Sequence, residues 1–163
     1  MIVKKNEFQQ YVMESFRPAE SLLKMIPEDK LDWKPAAGFM SMGQLIHHLC
    51  DGGIGEALRK TISGDWPSQE ELEASMKQEM PACSVEEALD KLETDRTVLK
   101  ATLSQVTEED FENKLVSVPW GWEAKIEMMG LQFLSHFFHH KMQLFMYLKL
   151  LGFPVNTTTL YFG

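Results

Sequence analysis

Residues 124–151 constrain this chain more than any other stretch. Met128, Leu131, Phe133, Leu134, Phe137, Phe138, Leu144, Met146, Tyr147, Leu148 and Leu150 make it apolar around most of a helical circumference. A helix with so little polar surface must run through the middle of a fold or pair with another chain. Gly152-Phe-Pro154 is a good stop, with glycine just past the helix and proline unable to extend it. On this same segment stand His136, His139, His140, Gln132 and Gln143. Buried polar groups are costly without partners, so these side chains need an explanation.

Three other segments carry helical periodicity. The first covers residues 7–25, with Phe8, Tyr11, Val12, Ala19 and Leu22 near one side, Pro18 inside it and Pro27 beyond its end. A polar and aromatic connection, residues 27–40, includes Leu31 and Trp33. The second helix is predicted as one piece over residues 41–63, opened by the capping box Ser41-Met-Gly-Gln44 and stopped by Gly64-Asp65. Residues 65–83 read by default as an acidic, solvated connection, with a short helix over 68–77 as the alternative. Ser84-Val-Glu-Glu87 caps a third, amphipathic helix that ends near residue 105. One helical turn is expected at residues 107–110, and a hairpin-like stretch at 114–122. The expected fold is all-α: a helical bundle in a single domain, residues 1–163.

A formal net charge of −8 argues against nucleic acid, which needs a clustered positive surface. No stretch reads as a membrane span, and the polar start lacks a signal core, so a cytoplasmic location is expected. Cys50 and Cys83 form no CxxC pair and read as buried, inert thiols.

The histidines fall in two places, His47-His48 and residues 136–140. His136 and His140 lie about 40° apart and one turn apart on a helix, which suits chelation of one ion. His136 and His139, about 60° apart, are a second possible pair. On the second helix His48 sits between Leu45 and Leu49, and His47 stands about 100° round the helix. Spacing alone leaves both choices open. Two known patterns are absent: Phe137 replaces the Glu of HExxH, and Leu45, Phe133 and Phe137 stand where Glu-x-x-His would need carboxylates. The predicted centre is therefore mononuclear and carboxylate-poor. Three neutral imidazoles suit Zn, Ni, Cu or Fe and leave a coordination position open.

Several neighbours are candidates for supporting roles. Asp51 is either a solvated helix residue, the favoured reading, or a hydrogen-bond acceptor behind His48. His139 is a candidate to stand behind the ligands or at an interface. Gln132 and Gln143 either orient a bound water or, as favoured, pair with each other. Trp120 and Trp122 either pack a hairpin or wall a pocket mouth.

Three stretches resemble the DinB-like superfamily, which includes the YfiT-type bacillithiol S-transferases. They are Ile26-Pro-Glu-Asp-Lys-Leu-Asp-Trp-Lys-Pro35, Ser41-Met-Gly-Gln-Leu-Ile-His-His-Leu49, and His136-Phe-Phe-His-His-Lys-Met-Gln143 followed by Tyr147-Leu and Leu151-Gly152. The second is similar to the family's Ser-x-Gly-x-Leu-x-x-His-Leu pattern, the third to His-x-x-His-His-Arg-Gly-Gln. The resemblance implies an up-down-down-up four-helix bundle, often a homodimer. It also implies that His48, His136 and His140 hold one divalent metal ion, Zn or Ni. It departs at Lys141-Met142, where the family has Arg-Gly.

The function expected is a metal-dependent transferase of a low-molecular-weight thiol onto an electrophilic substrate, or a hydrolase. No side chain is assigned as catalytic; that role is left to a water or thiol on the metal. The alternatives are a non-enzymatic metal-binding stress protein, a dimeric ligand-binding bundle, or a plain scaffold with core histidines.

Overall fold

The computed structural model describes residues 2–163. Its helices are α1 (Lys5–Leu23), α2 (Met42–Cys50), α3 (Ile54–Ser63), α4 (Gln69–Met76), α5 (Val85–Ser104), α6 (Glu108–Asn113), α7 (Ile126–Leu150) and α8 (Thr157–Phe162). A 3-10 turn at Glu28–Lys30 follows α1. Strands β1 (Leu115–Ser117) and β2 (Glu123–Lys125) pair antiparallel, with Val116 opposite Ala124. The fold is all-α apart from this hairpin.

α1 packs on α5 and α7, and α2 and α3 pack on the same two helices. The enclosed core includes Phe8, Phe16, Leu22, Leu45, Leu58, Leu99, Phe137 and Leu144. Full burial of such side chains stabilises by about 1.5–3 kcal/mol each before chain entropy is subtracted. α7 ends in a Schellman motif. Gly152 sits at φ +85°, its N–H reaches Lys149 O at 3.0 Å, and the N–H of Phe153 reaches Leu148 O at 3.0 Å.

The structure corrects one expectation that matters for the site. Residues 41–63 are two helices, not one. α2 stops at Cys50, and Gly52 adopts left-handed backbone at φ +61°. The free donors of the new helix start are met from α5: Asp95 accepts from Gly55 N at 3.1 Å and Glu56 N at 2.9 Å. A Cβ on Gly53 would lie 2.7 Å from Asp95 Oδ2, and one on Gly55 would lie 2.4 Å from Asp95 O. Gly52 thus makes the break, while Gly53 and Gly55 permit the close approach of α3 to α5.

Smaller differences have equally local causes. α1 ends at Leu23 and the chain then turns through Glu28–Lys30 ahead of α2. α7 starts at Ile126 because Ala124 is paired in the hairpin. The default of a solvated connection at 65–83 gives way to α4, capped by Ser68, although none of its residues is buried. The expected turn after residue 107 extends into α6, capped by Thr107. α8 has no counterpart in the sequence reading; Asn156 caps it and it lies on α1.

Candidate metal centre

α2 is placed by its own cap and by the connection before it. Ser41 Oγ accepts from Gln44 N at 3.2 Å, and Gln44 Oε1 accepts from Ser41 N at 2.8 Å. The N–H groups of Met42 and Gly43 reach Trp33 O and Leu31 O, both at 2.8 Å. Trp33 in turn meets the Tyr147 ring edge-on at 5.5 Å, and the Tyr147 hydroxyl donates to Met40 O at 3.0 Å. The connection thus ties the start of α2 to α7. Met42, Leu45, Ile46, Leu49 and Cys50 are buried, which leaves His48 half-buried at the margin of that apolar face.

On α7, Leu134, Phe137, Lys141, Leu144 and Phe145 are buried. Phe137 packs edge-on against Phe16 of α1 at 5.5 Å. This orientation brings His136 and His140 beside His48. The His136–His140 and His48–His140 ring centroids are each 4.4 Å apart, and His48–His136 is 5.3 Å. One ring nitrogen from each of the three lies within 4.8 Å of the others, a group that could hold a metal ion. His136 is exposed, whereas His48 and His140 are half-buried.

Electrostatics favour the ligating form of these rings. Burial, then the neighbouring His140 and His47, lowers the pKa of His48, with Asp51 opposing. Partial desolvation of its ring, together with His140, His48 and His139, pushes His136 down to about 4. Both imidazoles are therefore neutral at neutral pH, with a lone pair available. His140 Nδ1 lies 2.6 Å from Gln143 Oε1. Because the amide oxygen can only accept, that ring nitrogen carries the proton and Nε2 is left free to ligate.

The other candidates fall elsewhere. Gln143 pairs with His140 and not with Gln132, which is exposed. Asp51 is exposed at the end of α2, where its carboxylate is held by Lys91 of α5 and not by a histidine. His47 and His139 lie outside the three-imidazole group. Trp120, 58% exposed, stacks edge-on with Trp66 at 5.3 Å. Trp66 Nε1 donates to Thr61 Oγ1 at 3.1 Å, so this tryptophan pair ties the hairpin to α3. Both cysteines are free and buried, and burial raises both thiols, Cys83 to about 11.

Two features had little signal in the sequence. Asp95 looked like one more charge on an amphipathic helix, yet it caps α3 from 40 positions away. Lys141 is buried at 6% exposure; its place on the most apolar helix was the available clue.

The comparisons with known proteins agree with this architecture. The fold is similar to a DinB-like protein from Bacillus cereus ATCC 10987, at 15% identity and TM-score 0.74, over 96% of this chain and 98% of that one. A DinB-like protein, YjoA, from Bacillus subtilis is 20% identical with TM-score 0.66, over 91% and 94%. A candidate DinB-family member from Exiguobacterium sibiricum 255-15 is 20% identical with TM-score 0.70, over 95% and 96%. Comparison with curated proteins returned no match. The sequence pattern of the DinB family matches residues 1–162, and the chain therefore belongs to the DinB family.

Proposed function

We propose that this chain is a metal-dependent enzyme that transfers a low-molecular-weight thiol to an electrophilic small molecule, or hydrolyses such a molecule. The carrying observation is the convergence of His48, His136 and His140 from two helices, with one of the three imidazoles open to solvent. These three side chains would hold the ion, and an all-imidazole set suits Zn or Ni. A divalent ion so held lowers the pKa of a bound water or thiol toward neutrality. The residues supply the rest. His48 and His136 are kept neutral by partial desolvation of their rings and by the neighbouring histidines. Gln143 sets the tautomer of His140. The exposure of His136 favours an enzyme over a sealed storage site, because a substrate needs an approach.

In the wider reading, the bundle topology and the homodimer rest on the family resemblance, and the single domain and the location rest on the sequence itself. The chain acts as one domain, residues 1–163, in an up-down-down-up bundle in the cytoplasm. It is a homodimer, with Met142 and Met146, each 43% exposed on α7, on the candidate dimer face. No helix is long and apolar enough to cross a membrane among the described residues.

Elemental analysis of the purified protein is the first test, with close to one divalent ion per chain expected. A turnover screen with small thiols and chlorinated or epoxide electrophiles follows. His140→Ala should lose both metal and turnover; full metal content in that variant would overturn the assignment. Bound metal without turnover across the screen would favour a non-enzymatic metal-binding protein.

A further inference from the structure

A cavity of about 820 Å³ opens between α1, α7 and α8, and none of the three clustered histidines lines it. His140 and Lys141 are consecutive on α7 and so point about 100° apart, which places the cavity on a different flank of the helix. Its walls combine the rings of Tyr11, Phe138 and Tyr161 with the charged side chains of Arg17, Lys141 and Glu14.

Lys141 is the unusual member. It is 6% exposed, and its Nζ donates to Leu160 O at 3.0 Å. The ammonium lies 4.9 Å from the Phe138 ring centre and 6.0 Å from that of Tyr161. Among the described residues it forms no ion pair with a carboxylate. Its direct partners are one carbonyl and two ring faces, none of them anionic, and buried charges are normally paired. Arg17, exposed at the rim, likewise has no ion-pair partner among the described residues. Glu14 is exposed and its carboxylate accepts from Gln10 Nε2 at 2.9 Å. The charged wall is thus net positive by one, with its buried member a cation.

We propose that this cavity binds an amphiphilic organic monocarboxylate. Its carboxylate pairs with Lys141 Nζ and Arg17, and its apolar part lies against Tyr11, Phe138 and Tyr161. The size is within the range of small-molecule sites, and a mainly apolar wall with few converging polar groups is their usual make-up. The site is separate from the histidine cluster and does not depend on the proposed reaction.

Calorimetric titration with 4-phenylbutyrate, using 4-phenylbutylamine as the charge-reversed control, tests it. The carboxylate should bind one per chain, and the amine at least tenfold more weakly. Lys141→Met, checked for folding by circular dichroism, should weaken the carboxylate at least tenfold. Arg17→Gln, a change on an exposed side chain, should weaken it about threefold. Binding should survive in His136→Ala and after treatment with EDTA, which separates this cavity from a carboxylate on a metal. The proposal is overturned if the carboxylate does not bind, binds no better than the amine, or binds equally to both variants. It is also overturned if metal removal abolishes binding. Absent binding, together with loss of self-association in Arg17→Glu, would assign the cavity to a second copy of the chain.

Discussion

Gln143 offers the sharpest test of how the proposed centre is built. Its side-chain oxygen meets His140 Nδ1 at 2.6 Å, and nothing else in the site holds that ring nitrogen. Partners of this kind are worth about 10–100-fold in metal affinity. The structure selects the lower end. Gln143 is exposed and His140 half-buried, so water can replace the lost acceptor in Gln143→Ala. The expected loss is about tenfold in zinc affinity, or ~1.4 kcal/mol. Gln143→Glu should act in the opposite direction. A carboxylate makes a charge-assisted bond roughly twice as strong and raises the basicity of the ring, so affinity should rise about threefold or more. Competition against a chromophoric chelator at fixed pH and ionic strength measures both. Stability should change by less than about 0.5 kcal/mol, because the side chain is on the surface. Affinities within twofold of the parent protein in both variants would show that Gln143 does not set the His140 tautomer.

Three further outcomes follow from other parts of the structure. Gly55→Ala gains up to about 1 kcal/mol in helix propensity. It nevertheless drives a Cβ to 2.4 Å from Asp95 O and 2.6 Å from Leu99 N, backbone atoms that cannot rotate away. Over-packing wins, at a net cost of about 2–4 kcal/mol; urea unfolding showing an unchanged or raised midpoint would refute the close approach. The metal-free protein should lose stability as pH falls from about 6.5 to about 4, because His136 has a lowered pKa in the fold and the unfolded chain takes up its proton first. Urea midpoints at several pH values should show a flatter dependence in His136→Gln; an identical slope would remove His136 from the explanation. Chelation with EDTA should lower the Tm of metal-loaded protein, by the linkage between binding and folding, and excess zinc should restore it; a Tm indifferent to chelator would leave the histidines as core residues without an ion.

Much of the fold was legible because its signals are local. The capping boxes at Ser41 and Ser84 form as their spacing implies, and Gly152 ends α7 in left-handed backbone. Helical periodicity identified α1, α5 and α7 to within a few residues. The break between α2 and α3 was less visible. Apolar residues keep helical spacing on both sides of Asp51-Gly52-Gly53, which masks the turn signal of that tripeptide, and the carboxylate that caps α3 comes from Asp95 on another helix. α8 was missed because six residues carry too little periodicity to read.

The site divides along the same line. By itself the sequence determined that two helices carry the histidines, that His136 and His140 share a face, and that no carboxylate stands at the di-iron or HExxH positions. Those facts follow from the 3.6-residue period and from residue identity alone. Spacing left His47 and His48 open and the family resemblance pointed to His48, which the structure brings beside α7; tertiary structure alone decided that Gln143 is bonded to His140, that Asp51 is taken by Lys91, and that Lys141 is buried at a cavity. Each of these depends on how one helix is rotated against another, and that rotation is set by the whole core, not by any single segment.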